Sequence, residues 1–187
     1  MFVFLMRLQG VYLILALSVD DAKGICGMSH QDEETAEQDL EVILDAVNQG
    51  VTLKEIHGIS DEQMDGLYSL AYDFYNQGRL DEAEKFFRFL CIYDFYCVDF
   101  LMGLAAVYQL KEMYQKAADI YAIAFAQGDA DYRPMLYSGQ CQLAMGKSGK
   151  AKQCFKVVVE QSDDDALKAK AQAYLTALQR SRTSGSK

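Results

Sequence analysis

Ala83, Ala117 and Ala151 stand 34 residues apart, and Phe87, Tyr121 and Phe155 follow them, each four residues after its alanine. Residues four apart share one face of a helix. Recurring three times at a single period, the pair requires three copies of one supersecondary unit. A period of 34 residues is the length of a helix-turn-helix unit. Upstream of each alanine lies a second apolar pattern: Leu67, Leu70, Ala71 and Phe74, then Leu101, Leu104, Ala105 and Tyr108. The third copy is weaker, with Met135, Ser138, Gly139 and Gln142 at those places, and it holds register by phase more than by residue type. Gly78 and Gly146 mark the turns of the first and third copies. Any small bundle shows alanines and aromatics at helical spacing, but three copies in register set that alternative aside.

The pattern is similar to the tetratricopeptide repeat, whose first helix reads W-x2-L-G-x2-Y and whose second reads A-x3-F. The expected fold is all-α: three tetratricopeptide repeats in a curved right-handed solenoid, with an N-terminal helix and a C-terminal capping helix. The repeats fall at about 64–97, 98–131 and 132–165 within a repeat region of 60–162. Their helix pairs are expected at 61–77 and 81–93, 98–110 and 114–127, and 133–145 and 148–161. Neighbouring units must stack, because one unit cannot bury its apolar face alone. Pro134 sits near the start of a helix, where its missing N–H costs little.

Residues 28–59 read as an N-terminal helical region. Glu34 to Asn48 is amphipathic and ends before Gly50, and a short turn at Leu53 to His57 has Thr52 as its cap. Ser60 and Gln63 form a capping-box signature ahead of the first repeat. A last helix at 164–180 alternates Leu167, Ala171, Tyr174, Leu175 and Leu178 with Lys and Gln, the polar-backed cap that a solenoid end needs. The tail, 181–187, is polar and expected to be mobile.

Three readings are open for the apolar leader at 1–27. It resembles the apolar core of a secretory signal but lacks the basic start. Interrupted by Arg7, Gln9 and Gly10, it is barely long enough to span a bilayer. The favoured reading is translation from Met28, where MSHQDEETAEQ looks like the polar start of a cytosolic protein.

A net charge of -9 argues against direct binding to nucleic acid, which clustered Lys and Arg drive. Basic or apolar protein segments are the more natural partners. The five cysteines are odd in number and contain no C-x-x-C pair, so neither a disulfide framework nor a zinc site is signalled. His30 and His57 stand apart from other metal ligands, and neither a G-x-S-x-G elbow nor a phosphate loop is present. The expectation is a cytosolic protein without catalytic, metal or cofactor site.

The first helices of stacked repeats line the concave side. In phase, Tyr68, Tyr72 and Tyr75 point into that groove from the first repeat, Met102, Ala106 and Gln109 from the second, and Leu136, Gln140 and Leu143 from the third. Tyrosine combines a large apolar ring with a hydroxyl, which suits an extended peptide with apolar anchors. Alternatively, these rings pack against the N-terminal helix. Tyr93, Phe95 and Tyr96 are expected in the core between repeats one and two.

The stretch LYSLAYDFYNQGRLDEAEKFFRFLCIYDFY, followed by GLAAVYQLKEMYQKAADIYAIAFA and YSGQCQL, resembles the class II chaperones of type III secretion systems, in their invasion-associated branch. The likeness covers about Leu40 to Leu178. It implies a cytoplasmic bacterial protein, not an enzyme, that keeps hydrophobic pore-forming translocators soluble and apart before export. It also implies that an extended translocator segment lies in the groove against Tyr68, Tyr72 and Tyr75. A homodimer through the N-terminal helix, with Leu40, Ile43, Leu44 and Val47 on its apolar face, is implied too. So is a second role, once cargo has left, as coactivator of an AraC-type transcription regulator, with DNA reached only through that partner; a generic repeat scaffold is the remaining alternative. Family members usually carry Asn at the place of Cys97, and they lack the apolar leader.

Overall fold

The computed structural model describes residues 51–184, and every regular element among them is a helix. The chain divides into two compact units, Met1–Ser60 and Asp61–Lys187. The leader, the expected helix at 34–48 with Leu40, Ile43, Leu44 and Val47, and residues 185–187 lie outside the described residues.

In the first unit, α1 (Leu53–Ile56) opens on a capping box. The Glu55 amide donates to the Thr52 hydroxyl, and the Glu55 carboxylate accepts from the Thr52 N–H at 2.8 Å. Two N–H groups that a helix start leaves unpaired are thereby satisfied.

The second unit holds three helix pairs and a cap. The pairs are α2 (Asp61–Asn76) with α3 (Leu80–Tyr93), α4 (Val98–Leu110) with α5 (Tyr114–Gln127), and α6 (Arg133–Ala144) with α7 (Ser148–Gln161). The cap is α8 (Asp165–Ser184). Each helix packs chiefly on its neighbours in sequence, and α2 also reaches α4 while α8 reaches α6.

The periodic residues form the core. Ala83, Ala117 and Ala151 have no exposed surface, nor do Phe87 and Phe155, and Tyr121 retains 2%. One turn on, Leu90, Ala124 and Val158 are equally buried at the same 34-residue spacing. Every second helix of a pair therefore buries one stripe of a small, an aromatic and a smaller apolar residue. Facing it, Ala71 and Ala105 are fully buried. Gly139 takes their place in the third pair, where a Cβ would stand 2.6 Å from the Phe155 ring. Tyr93, Phe95 and Tyr96, expected in the core, are half-buried. They sit at the edge of the stack, where α3 ends and the chain turns into α4, and Phe95 pairs there with Tyr96 at 4.0 Å.

The three turns within pairs are also copies. The amides of Arg79, Met113 and Lys147 donate to the carbonyls of Phe74, Tyr108 and Gln142 at 2.9, 2.9 and 2.8 Å. That six-to-one closure requires a left-handed residue between. Gly78 and Gly146 meet the requirement at φ +73°, whereas the second repeat places Glu112 there at φ 59°.

The solenoid ends under α8. Asp164 caps it, accepting from the amides of Ala166 and Leu167 at 2.8 and 3.0 Å. Leu167, Ala171 and Leu175 then close over Leu136, Ala151, Phe155 and Val158. Helix α8 runs to Ser184 rather than stopping at 180, since no glycine or proline interrupts 165–184.

Two substitutions test the local accounts. Cys97 caps α4 without a side-chain hydrogen bond, so Cys97→Asn should raise unfolding free energy by about 1 kcal/mol in a denaturant titration. Glu112→Gly should likewise stabilise by about 1 kcal/mol, because it removes the left-handed penalty of a side chain. No gain from the second change would mean that Glu112 is not strained at this turn.

A tyrosine-lined groove as candidate functional site

The first helices of the three pairs supply most of one cavity of about 360 Å³. From α2 come Tyr68, Tyr72 and Tyr75, from α4 Met102, Ala106 and Gln109, all six as the sequence phase requires. They are joined by Asp99, Gly103 and Leu110 of α4, by Arg133 and Tyr137 of α6, and by the inward ends of Phe87 and Tyr121.

The tyrosines form a continuous aromatic wall because positions 68, 72 and 75 lie one turn apart on one helix face. Tyr68 stacks on Tyr72 with ring centres 6.3 Å apart, and Tyr72 on Tyr75 at 5.8 Å. Tyr68 is anchored from behind, edge-on to Phe87 at 5.9 Å and against Phe100 at 5.6 Å. Tyr72 is the outermost ring, 49% exposed. A large apolar surface already ordered by its neighbours loses little freedom when a ligand covers it.

Gly103 explains how Phe87 reaches the cavity. A Cβ at that position would stand 2.1 Å from the Phe87 ring. The ring of α3 therefore lies directly on the backbone of α4, and together they form part of the cavity wall.

A chain of hydrogen bonds leads away from the site. The Tyr121 hydroxyl donates to the Gln109 carbonyl at 3.0 Å, the Gln109 amide to Gln140 at 3.2 Å, and the Gln140 amide to the Tyr174 hydroxyl at 3.1 Å. Burial raises the pKa of Tyr68, Tyr75 and Tyr121, most of all for Tyr121. These phenols stay neutral across physiological pH and offer hydrogen bonds rather than proton transfer. Among the described residues no three His, Cys, Asp or Glu side chains are grouped to hold a metal ion.

The third repeat departs from the expectation. Leu136, Gln140 and Leu143 do not line the cavity. Leu136 is 1% exposed, buried with Phe155 and Leu167, and Leu143 packs against the same cluster. The register is the same as at Tyr68 and Met102, but here the capping helix, not another repeat, covers the position. Gln140 is turned to Gln109 and Tyr174. The α6 residues that do reach the cavity, Arg133 and Tyr137, match Asp99 and Gly103 of α4 at the 34-residue period. Widening the sequence stripe to both flanks would have found them.

A tetratricopeptide repeat family model matches residues 64–96 and 98–127, leaving out the third repeat with its weak first helix. The chain is 58% identical over 156 residues to the chaperone protein SicA of Salmonella typhimurium, a match covering 83% of this chain and 94% of SicA. The crystal structure of PcrH with the chaperone-binding region of PopD is similar at a TM-score of 0.63 and 28% identity, over 67% of this chain and 97% of that one. PcrH comes from Pseudomonas aeruginosa. The Yersinia enterocolitica chaperone SycD, in complex with a peptide of the translocator YopD, gives 0.62 and 26%, over 66% and 98%.

Because the Phe87 ring occupies the space of a side chain at 103, Gly103→Ala should destabilise the protein by about 1–3 kcal/mol. Thermal or denaturant unfolding reads the loss. An unchanged midpoint would show that Phe87 moves aside freely.

Proposed function

Because this chain belongs to the tetratricopeptide-repeat class II chaperones of type III secretion translocators, we propose that it holds an extended translocator segment in the groove. Bound there, the hydrophobic cargo stays soluble and apart from its partner translocator until export. The observation that carries this reading is the wall of Tyr68, Tyr72 and Tyr75 facing Met102 and Ala106 across one cavity. Relatives of the same fold have been crystallised with translocator peptides. Apolar anchors of the segment sit against the rings, while its polar groups meet the tyrosine hydroxyls and Gln109.

The chaperone works in the bacterial cytoplasm. Among the described residues no helix is long and apolar enough to cross a membrane. A homodimer through Leu40, Ile43, Leu44 and Val47 belongs to the same reading, and SycD has been solved in an alternative dimer. Freed of cargo, the protein serves an AraC-type regulator as coactivator. Its net charge of -9 favours reaching DNA through such a partner over touching it directly.

Calorimetric titration of the Met28–Lys187 protein with overlapping peptides from the N-terminal region of a candidate translocator tests the groove. Micromolar binding is expected. Tyr72→Ala should weaken it by more than about 2 kcal/mol, the loss typical of a central aromatic anchor. A folded, helical protein that binds no peptide would shift the assignment to the coactivator or scaffold reading.

A further inference from the structure

We propose that Asp99 reads charge in the segment that fills the groove, favouring a lysine or arginine next to an apolar anchor; this rests on the groove reading above. Asp65, Asp99 and Arg133 occupy one register position on α2, α4 and α6, 34 residues apart. Among the described residues lining the cavity, Asp99 and Arg133 are the charged ones.

They are not equivalent. Arg133 is committed to Asp131, which accepts from its Nε at 3.0 Å, from its Nη2 at 2.8 Å and from its backbone N–H at 2.9 Å. Toward Asp99 it offers a single contact of 3.5 Å. The Asp131 side chain is 21% exposed and that of Asp99 62%. One acid is therefore consumed in holding the arginine, while the other keeps acceptor sites open to solvent. Asp99, Asp131 and Arg133 together carry a net negative charge. At the Tyr68 hydroxyl beside it, burial and then the Asp99 carboxylate raise the pKa, and the opposing influence of Arg133 is the smallest.

An incoming ammonium or guanidinium group would meet Asp99 at the edge of the Tyr68 ring, and an incoming carboxylate would be repelled. Rim charges of this kind select among partners more than they add affinity.

The peptide that binds tightest in the titration above serves as the probe. It is resynthesised with Lys, Ala or Glu at each position flanking its apolar residues. At one position Lys should bind about tenfold tighter than Glu, attraction and repulsion each contributing a few-fold. The preference should shrink to about twofold or less in Asp99→Asn, widen in Arg133→Gln, and fade at high salt. No position with such a preference, or one that survives Asp99→Asn, overturns the proposal. So does a preference for Glu that Arg133→Gln abolishes, which would make the arginine the reader. If the unmodified chain binds no peptide at all, the groove reading fails and this inference goes with it.

Discussion

Phe87 and Phe155 can be buried only where the opposing helix carries no side chain in their way. A Cβ at Gly103 would stand 2.1 Å from one ring, and a Cβ at Gly139 would stand 2.6 Å from the other. That close approach of ring to backbone sets the distance between helices, and the distance sets everything built on it. Between α3 and α4 it binds the first repeat to the second and gives the groove an aromatic wall. Within the third pair it brings Phe155 to where Tyr174 of the cap stacks on it, with ring centres 4.7 Å apart. One steric rule thus serves the core, the site and the closure of the solenoid.

Much of this was legible because the rule leaves a periodic trace. Alanine and aromatic positions at a spacing of 34 fixed the helix pairs to within a residue or so at most ends, and six residues named from their phase line one cavity. What escaped was not periodic. Leu136 has the register of a groove residue, yet it is buried in one cluster with Phe155 of α7 and Leu167 of the cap. Gln140 likewise reads as groove-facing until its partners Gln109 and Tyr174 are known. Glu112 hides a left-handed turn that glycine announces in the other two repeats. These three misses arise where a copy at the end of the array, or one with an altered turn, meets surroundings that its siblings do not.

The groove and the cap are chemically joined as well as adjacent. Gln109 lines the cavity while holding the Tyr121 hydroxyl, and through Gln140 it reaches Tyr174 on α8. An amide can serve as acceptor on one side and donor on the other, so two glutamines suffice to carry one orientation across four helices. A hydrophobic residue at either place would leave a tyrosine hydroxyl or an amide without its partner, at a cost well above that of the lost bond alone.

Nearest-neighbour packing has a consequence for how the chain gains order. Since α2 through α8 lean chiefly on helices adjacent in sequence, few contacts join distant parts of the described residues, and structure can spread from any repeat without closing long loops. A segment lying along Tyr72, Ala106 and Tyr137 would touch the first helix of all three pairs at once. Such cargo would supply a long-range tie that the described residues largely lack, and the array would gain cooperativity from the segment it holds.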